Sequence, residues 1–169
     1  MGLDNMPHNY PCKEQGTAVI EVIETDYGSG VEKTGRIDCD ATMEKGGCPY
    51  KNADNRPDDG GVLGIFGTPC WYRGKYGNYL VEVLKGVAQP DSWTENPSFY
   101  AEGETDFKTP EECRELADWM EEKLLDYDGK KVKAKNDPDE DQDLTTEILY
   151  AIWYLRWSAH ECGGLDAWY

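Results

Sequence analysis

Thr109-Pro110-Glu111-Glu112-Cys113-Arg114-Glu115-Leu116-Ala117-Asp118-Trp119-Met120-Glu121-Glu122-Lys123-Leu124 settles how the second half of this chain folds. Thr109 offers an oxygen to a free backbone N–H of the first turn, Pro110 takes the first helical position, and Glu112 reaches back to the threonine N–H as a capping box. Cys113, Leu116, Ala117, Met120 and Leu124 then recur at helical spacing, forming one apolar stripe along an acidic segment. Gly129 suits the residue just past the helix end.

Moving toward the C-terminus, a basic stretch, Lys130 to Lys135, precedes a second start signal. Asp137-Pro138-Asp139-Glu140 offers a cap, a proline at the first helical position and an acid in the first turn, and Gly163-Gly164 offers a stop. The spacing predicts a helix between them with a stripe of Leu144, Ile148, Ala151, Ile152, Leu155, Ala159 and Cys162. A second face, Tyr150, Trp153, Tyr154 and Trp157, has the same spacing, so Ile148 to Trp157 is apolar nearly all round. Such a helix is central to its fold or covered by a partner. A central position is expected, because the acidic first helix can pack on only one side of it.

Moving toward the N-terminus, Pro90 to Glu104 is a connection, and Tyr79 to Leu84 and Val62 to Phe66 read as short strands. Met43 to Pro57, with Gly46-Gly47, Pro49, Asn52, Asn55 and Pro57, reads as irregular chain. Thr17 to Glu24 and Val31 to Cys39, separated by Thr25-Asp26-Tyr27-Gly28-Ser29-Gly30, read as a hairpin. Val19 and Ile23 alternate with Ile20 and Val22 so closely that the first of these strands looks apolar on both faces, as an interior strand would. Strands first and helices later predict an α+β fold, a small antiparallel sheet from the N-terminal half packed against two C-terminal helices. The expectation is a single domain over 1–169, strand- and loop-rich over 1–90 and acidic and helical over 91–169.

Charge narrows the classes of function. Thirty-four acidic against seventeen basic residues leave a net charge of −17 over 169 residues. The excess is uneven: residues 1–90 carry nine Lys and Arg against thirteen Asp and Glu, and residues 91–169 carry eight against twenty-one. Such a field repels a phosphate backbone and an anionic membrane surface, which argues against general nucleic-acid binding. Twelve lysines against five arginines do not fit a surface adapted to high salt. No apolar run approaches the length of a membrane span, and Met1 to Tyr10 lacks a signal-peptide pattern, so a soluble cytoplasmic protein is expected. Met1-Gly2-Leu3-Asp4-Asn5-Met6 does not satisfy the myristoylation pattern, which needs Ser or Thr where Met6 stands.

Residues 61–90 reverse the general sign, with Arg73, Lys75 and Lys85 against Glu82 alone. Around them, residues 60–79 concentrate glycine and aromatics. Trp71 and Tyr72 could stack on a planar ligand while Arg73 and Lys75 meet its anionic group, a site for a nucleotide-like molecule. The commoner fate of such a segment is a glycine-rich connection whose aromatics fill the core. The six cysteines, with no secretory signal, read as reduced thiols. His8, Cys12, Cys39, Cys48 and Cys70 lie in loop-rich surroundings and could supply a tetrahedral zinc site, although no C-x-x-C knuckle is present. Cys113 and Cys162 fall on the apolar stripes and read as core.

Catalysis finds little footing. Two histidines, His8 and His160, are the only ready bases for a nucleophilic cysteine, and no G-x-S-x-G, Walker or G-x-G-x-x-G order occurs. Asp137, Asp139, Asp141 and Asp143 alternate like the start of a calcium loop, but Ile148 stands where its closing glutamate belongs, and helix capping explains the acids better. The expectation is therefore a non-enzymatic acidic binding protein that occupies or inhibits a basic surface of a partner protein, with Tyr150, Trp153, Tyr154 and Trp157 as aromatic anchors. A viral or mobile-element accessory protein would fit this description. The alternative is the small-molecule binder built on residues 60–79.

Overall fold

The computed structural model describes residues 4–59, 70–87, 107–127, 132–134 and 137–168, and the fold is α+β, with small antiparallel sheets and two C-terminal helices packed together. The chain forms two compact units, one of Met1–His8 with Asn55–Tyr169, the other of Asn9–Asp54.

The larger unit is organised by a four-stranded antiparallel sheet. Its strands are β1 (Asp4–Pro7), β4 (Tyr72–Arg73), β5 (Phe107–Lys108) and β8 (Leu165–Trp168), in the order β4-β1-β8-β5. β1 and β8 form the central pair, with Asn5 opposite Ala167 and Pro7 opposite Leu165. Three helices accompany it: α3 (Gly74–Leu84), α4 (Pro110–Asp126) and α5 (Thr145–Glu161). α4 and α5 pack along one another, and Cys113, Ala117 and Met120 meet a core that includes Leu144, Ile148, Leu155 and Leu165. The capping box forms as expected: Thr109 Oγ1 accepts from Glu112 N at 3.2 Å, and Thr109 N donates to Glu112 Oε2 at 2.8 Å.

α5 is the central element, as its all-round apolarity implies. Nine of its residues from Ile148 to Ala159 are buried. Tyr154 Oη donates to the Cys70 carbonyl at 2.7 Å, which ties the middle of the helix to the chain entering β4. The helix stops where expected, with Gly163 at φ 68° and Gly164 at φ 120°. Its start differs from expectation. Residues 137–143 contain no apolar side chain to bury, so helix packing begins to gain only at Leu144. Asp143 marks that start, its Oδ1 accepting from Thr145 N at 3.0 Å and Thr145 Oγ1 at 2.6 Å. Asp137–Gln142 instead forms β7, paired with β6 (Val132–Ala134) in a register that sets Lys133 opposite Asp141.

Tyr79 to Leu84, expected as a strand, is the C-terminal part of α3. A short run apolar on both sides suits a buried strand or a buried helix equally, and here Tyr79, Leu80, Val83 and Leu84 form one helical face. The other expected strand, Val62 to Phe66, lies outside the described residues, as does Gly129. No helix among the described residues is long and apolar enough to cross a membrane.

The smaller unit contains α1 (Pro11–Glu14), the hairpin β2 (Val19–Asp26) with β3 (Val31–Asp38), and α2 (Cys39–Glu44). Gly28 and Gly30 adopt positive φ in the turn, where Asp26 Oδ1 accepts from Gly28 N at 2.8 Å. Among the described residues β2 pairs only with β3, so there it is not the interior strand that its apolar residues imply. Ile20, Val22 and Val31 are exposed, while Glu21 opposite Arg36 and Glu24 opposite Lys33 form cross-strand ion pairs. Of the whole unit, only Pro11, Cys12, Thr42 and Tyr50 are buried.

Candidate interaction face

Among the described residues of the larger unit, one side of α4 carries a line of acids. Glu111, Glu115, Asp118, Glu122 and Asp126 are all exposed and follow one another at intervals of four, three, four and four residues. This spacing keeps them on one line along the helix, a ridge about 22 Å long at 1.5 Å per residue. The buried stripe of Cys113, Ala117 and Met120 lies on the opposite face, so packing against α5 holds the ridge outward. Beside its C-terminal end stands Leu125, 85% exposed and the most exposed large apolar side chain among the described residues.

The ridge is held in place from α5. Arg156 donates to Asp118 Oδ1 at 2.7 Å and to both oxygens of Glu121, at 2.6 and 3.1 Å. Hydrogen bonding from Arg156, and then its charge, draws the Glu121 carboxyl below the usual carboxylate range. Asp118 is thereby partly neutralised, whereas no ion pair is drawn to Glu111, Glu115 or Asp126 among the described residues. At the helix start, hydrogen bonds from Thr109 hold Glu112 in its charged form. The arrangement can present several fixed negative charges and one apolar side chain to a facing surface.

The residues singled out from sequence fall in several places. Tyr72 is fully buried, its ring 5.2 Å from that of Tyr154 and 6.1 Å from that of Tyr150. It stacks on the protein's own tyrosines. Trp71, its neighbour on the extended chain, is partly exposed. Arg73 closes β4, Lys75 is the second residue of α3, and residues 60–69 lie outside the described residues.

The aromatic face of α5 turns inward. Tyr150 and Tyr154 are fully buried and Trp157 nearly so, with Trp153 and Trp157 stacked at 5.9 Å and 16°. Trp153 alone of the four is partly exposed. These rings form the core rather than an exposed anchor, because an all-apolar helix in a small unit has no other place to bury them.

The metal-ligand set is divided between the units. His8 and Cys70 belong to the larger one, where His8 Nδ1 lies 3.0 Å from Asp166 Oδ1 and its ring 4.4 Å from that of Phe107. Cys12, Cys39 and Cys48 belong to the smaller one. Among the described residues, no three His, Cys, Asp or Glu side chains are already grouped as metal ligands.

The α4 ridge was not singled out from sequence, although its signal is there. Five acids at helical spacing, phased opposite to the apolar stripe that established the helix, can be read directly from residues 111–126. Comparison with protein-family models, with curated proteins and with solved structures finds no match to this chain.

Proposed function

We propose that this protein is a non-enzymatic binding protein that occupies a basic surface of a partner protein, with the exposed ridge of α4 as its contact face. The observation that carries this reading is the alignment of Glu111, Glu115, Asp118, Glu122 and Asp126 on a helix whose opposite face is locked into the core. Aligned charges on a rigid element meet a basic groove without first being ordered, which lowers the entropic cost of association. The net charge of −17 adds long-range attraction to any cationic partner, raising the encounter rate in a salt-dependent way. Leu125, beside the ridge, supplies apolar contact where charge alone would give little affinity.

The test separates a ridge from a general acidic surface. Glu115→Lys with Glu122→Lys reverses two ridge charges, and Glu14→Lys with Glu44→Lys makes the same charge change on exposed positions of the smaller unit. A partner captured from lysate and purified should bind the ridge variant about tenfold or more weakly, mostly through a slower association rate, and bind the control variant nearly as well as wild type. Equal loss in both variants, or no partner retained at low salt, would overturn the reading.

A further inference from the structure

The course of α4 and α5 follows from the sheet. β5 leads into α4 and β8 follows α5, and these two strands pair, with Phe107 opposite Asp166 and Lys108 opposite Leu165. The start of α4 and the end of α5 therefore lie together, and the two helices, packed along one another from there, run antiparallel. Arg156 fixes their register by donating to Asp118 at 2.7 Å.

That register brings two leucines together. Leu125 stands two helical turns after Asp118 on α4, and Leu149 stands two turns before Arg156 on α5. In antiparallel helices both steps travel about 10 Å in the same direction, which sets Leu125 beside Leu149 on the edge of the helix pair that Arg156 clamps. Leu125 is 85% exposed and Leu149 45%, and they are the exposed large apolar side chains of α4 and α5. Trp153, one turn on from Leu149 toward Arg156, is partly exposed and lengthens the strip. A single exposed leucine is ordinary, but two side by side with a tryptophan make a patch.

The α4 side of this patch is bordered by carboxylates. Asp118, Glu122 and Asp126 run along it, all exposed, while Arg156 at its end is already engaged by Asp118 and Glu121. An apolar strip beside a row of fixed acids complements an amphipathic helix with Lys or Arg flanking its apolar face. Its apolar residues at i, i+3, i+4 and i+7 cover the leucines, and its cations meet the carboxylates. A second copy of this chain would bring its own acids against the same row, at a net charge of −17 each, and is repelled.

We propose that the strip of Leu125, Leu149 and Trp153 is the docking site for one basic amphipathic helix of a partner protein, which rests on the reading of α4 as the contact face and extends that face across the seam onto α5.

The probe is a synthetic helical peptide of leucine and lysine, about 18 residues long, with its leucines on one face. A scrambled peptide of the same composition is the control. By fluorescence anisotropy the full-length protein should bind the amphipathic peptide about tenfold or more tightly than the scrambled one. Leu125→Ser with Leu149→Ser should remove that preference, and Val22→Ser, at an exposed apolar position of the smaller unit, should keep it. On the wild-type protein, which needs no variant to fold, the methyl NMR signals of Leu125 and Leu149 should shift on addition of the peptide while those of Ile20 and Val22 stay in place. Equal affinity for both peptides, or a preference that survives the double leucine variant, would overturn the docking site and leave the acidic ridge standing. Affinity that depends on the leucines but is indifferent to Glu115→Lys with Glu122→Lys would overturn the ridge reading, and with it the basic character of the docked helix. Methyl shifts at Leu125 and Leu149 on dilution of the protein alone would assign the strip to a second copy and overturn the proposal.

Discussion

Arg156 of α5 grips Glu121 of α4 with both terminal nitrogens, Nη2 to Oε2 at 2.6 Å and Nη1 to Oε1 at 3.1 Å, and reaches Asp118 with the same Nη2. This exposed clamp joins the two packed helices at the edge of the acidic ridge. Glu121 has a lowered pKa, so its contribution to stability is present above the unfolded-state value and is lost as pH falls through the folded-state value. Wild type should therefore unfold at a higher urea concentration than Arg156→Gln near neutral pH, and the gap should close in acid and shrink in high salt. A gap independent of pH would assign Arg156 to packing alone.

The reciprocal bonds of Thr109 and Glu112 stand at the start of the helix that carries the ridge. Thr109→Ala removes the side-chain acceptor of Glu112 N and should cost about 1 kcal/mol in equilibrium urea unfolding. Thr109→Ser should restore most of it. Equal losses in both variants would mean that the methyl group, not the hydroxyl, is what matters.

Glu147, in the first turn of α5, runs against the general pattern. Burial, and then the charges of Asp143 and Asp58 against the opposing effect of its own backbone N–H, pushes its carboxyl up, and its Oε2 is buried without a hydrogen-bond partner. A raised pKa gives stability that is full below the unfolded-state value and is lost as pH rises through the folded-state value. Glu147→Gln should therefore raise the melting temperature near neutral pH and leave it little changed in acid. A lower melting temperature at neutral pH would show that the charged form is the one the fold requires.

Gly164 lies at φ 120°, and a Cβ there would stand 2.2 Å from the Lys108 carbonyl oxygen and 2.9 Å from the Phe107 ring. Gly164→Ala must displace β5 from β8 and should destabilise by well over the roughly 1 kcal/mol typical of single substitutions. Gly163→Ala, at φ 68°, carries the left-handed backbone penalty and should cost about 1–2 kcal/mol. Thermal unfolding of both variants checks the order; equal effects would place the cost in backbone conformation alone.

The elements legible beforehand are those whose information is local. The capping box at Thr109, the stripe from Cys113 to Met120 and the stop at Gly163-Gly164 each act within a few residues and stand where their patterns put them, and the hairpin turn expected over Thr25 to Gly30 forms with β2 running two residues further, to Asp26. The readings that missed are those in which two local signals competed. Asp137-Pro138 carries a helix start but no apolar residue to make a helix worth packing, and it became a strand opposite Val132–Ala134. Tyr79 to Leu84 satisfies strand and helix patterns alike, and became the inner face of α3. For the ridge, acid spacing could be read in advance, but which face of α4 turns outward required its packing on α5.

By itself the sequence determined the charge, the α+β class, the hairpin, the capped helix and the centrality of the aromatic helix, because composition, turn chemistry and helical periodicity are properties of short windows. Only the tertiary structure decided that Asp4–Pro7, which contains a proline and no β-branched residue, is a central strand. It pairs with Leu165–Trp168 some 160 positions away, and that hydrogen-bonded partner supplies what local propensity does not. Tertiary structure likewise turned Tyr72, Tyr150 and Tyr154 inward onto one another. The physical reason is the same in each case: contacts between distant segments depend on which surfaces can be buried together, and no short window of sequence contains both halves of such a contact.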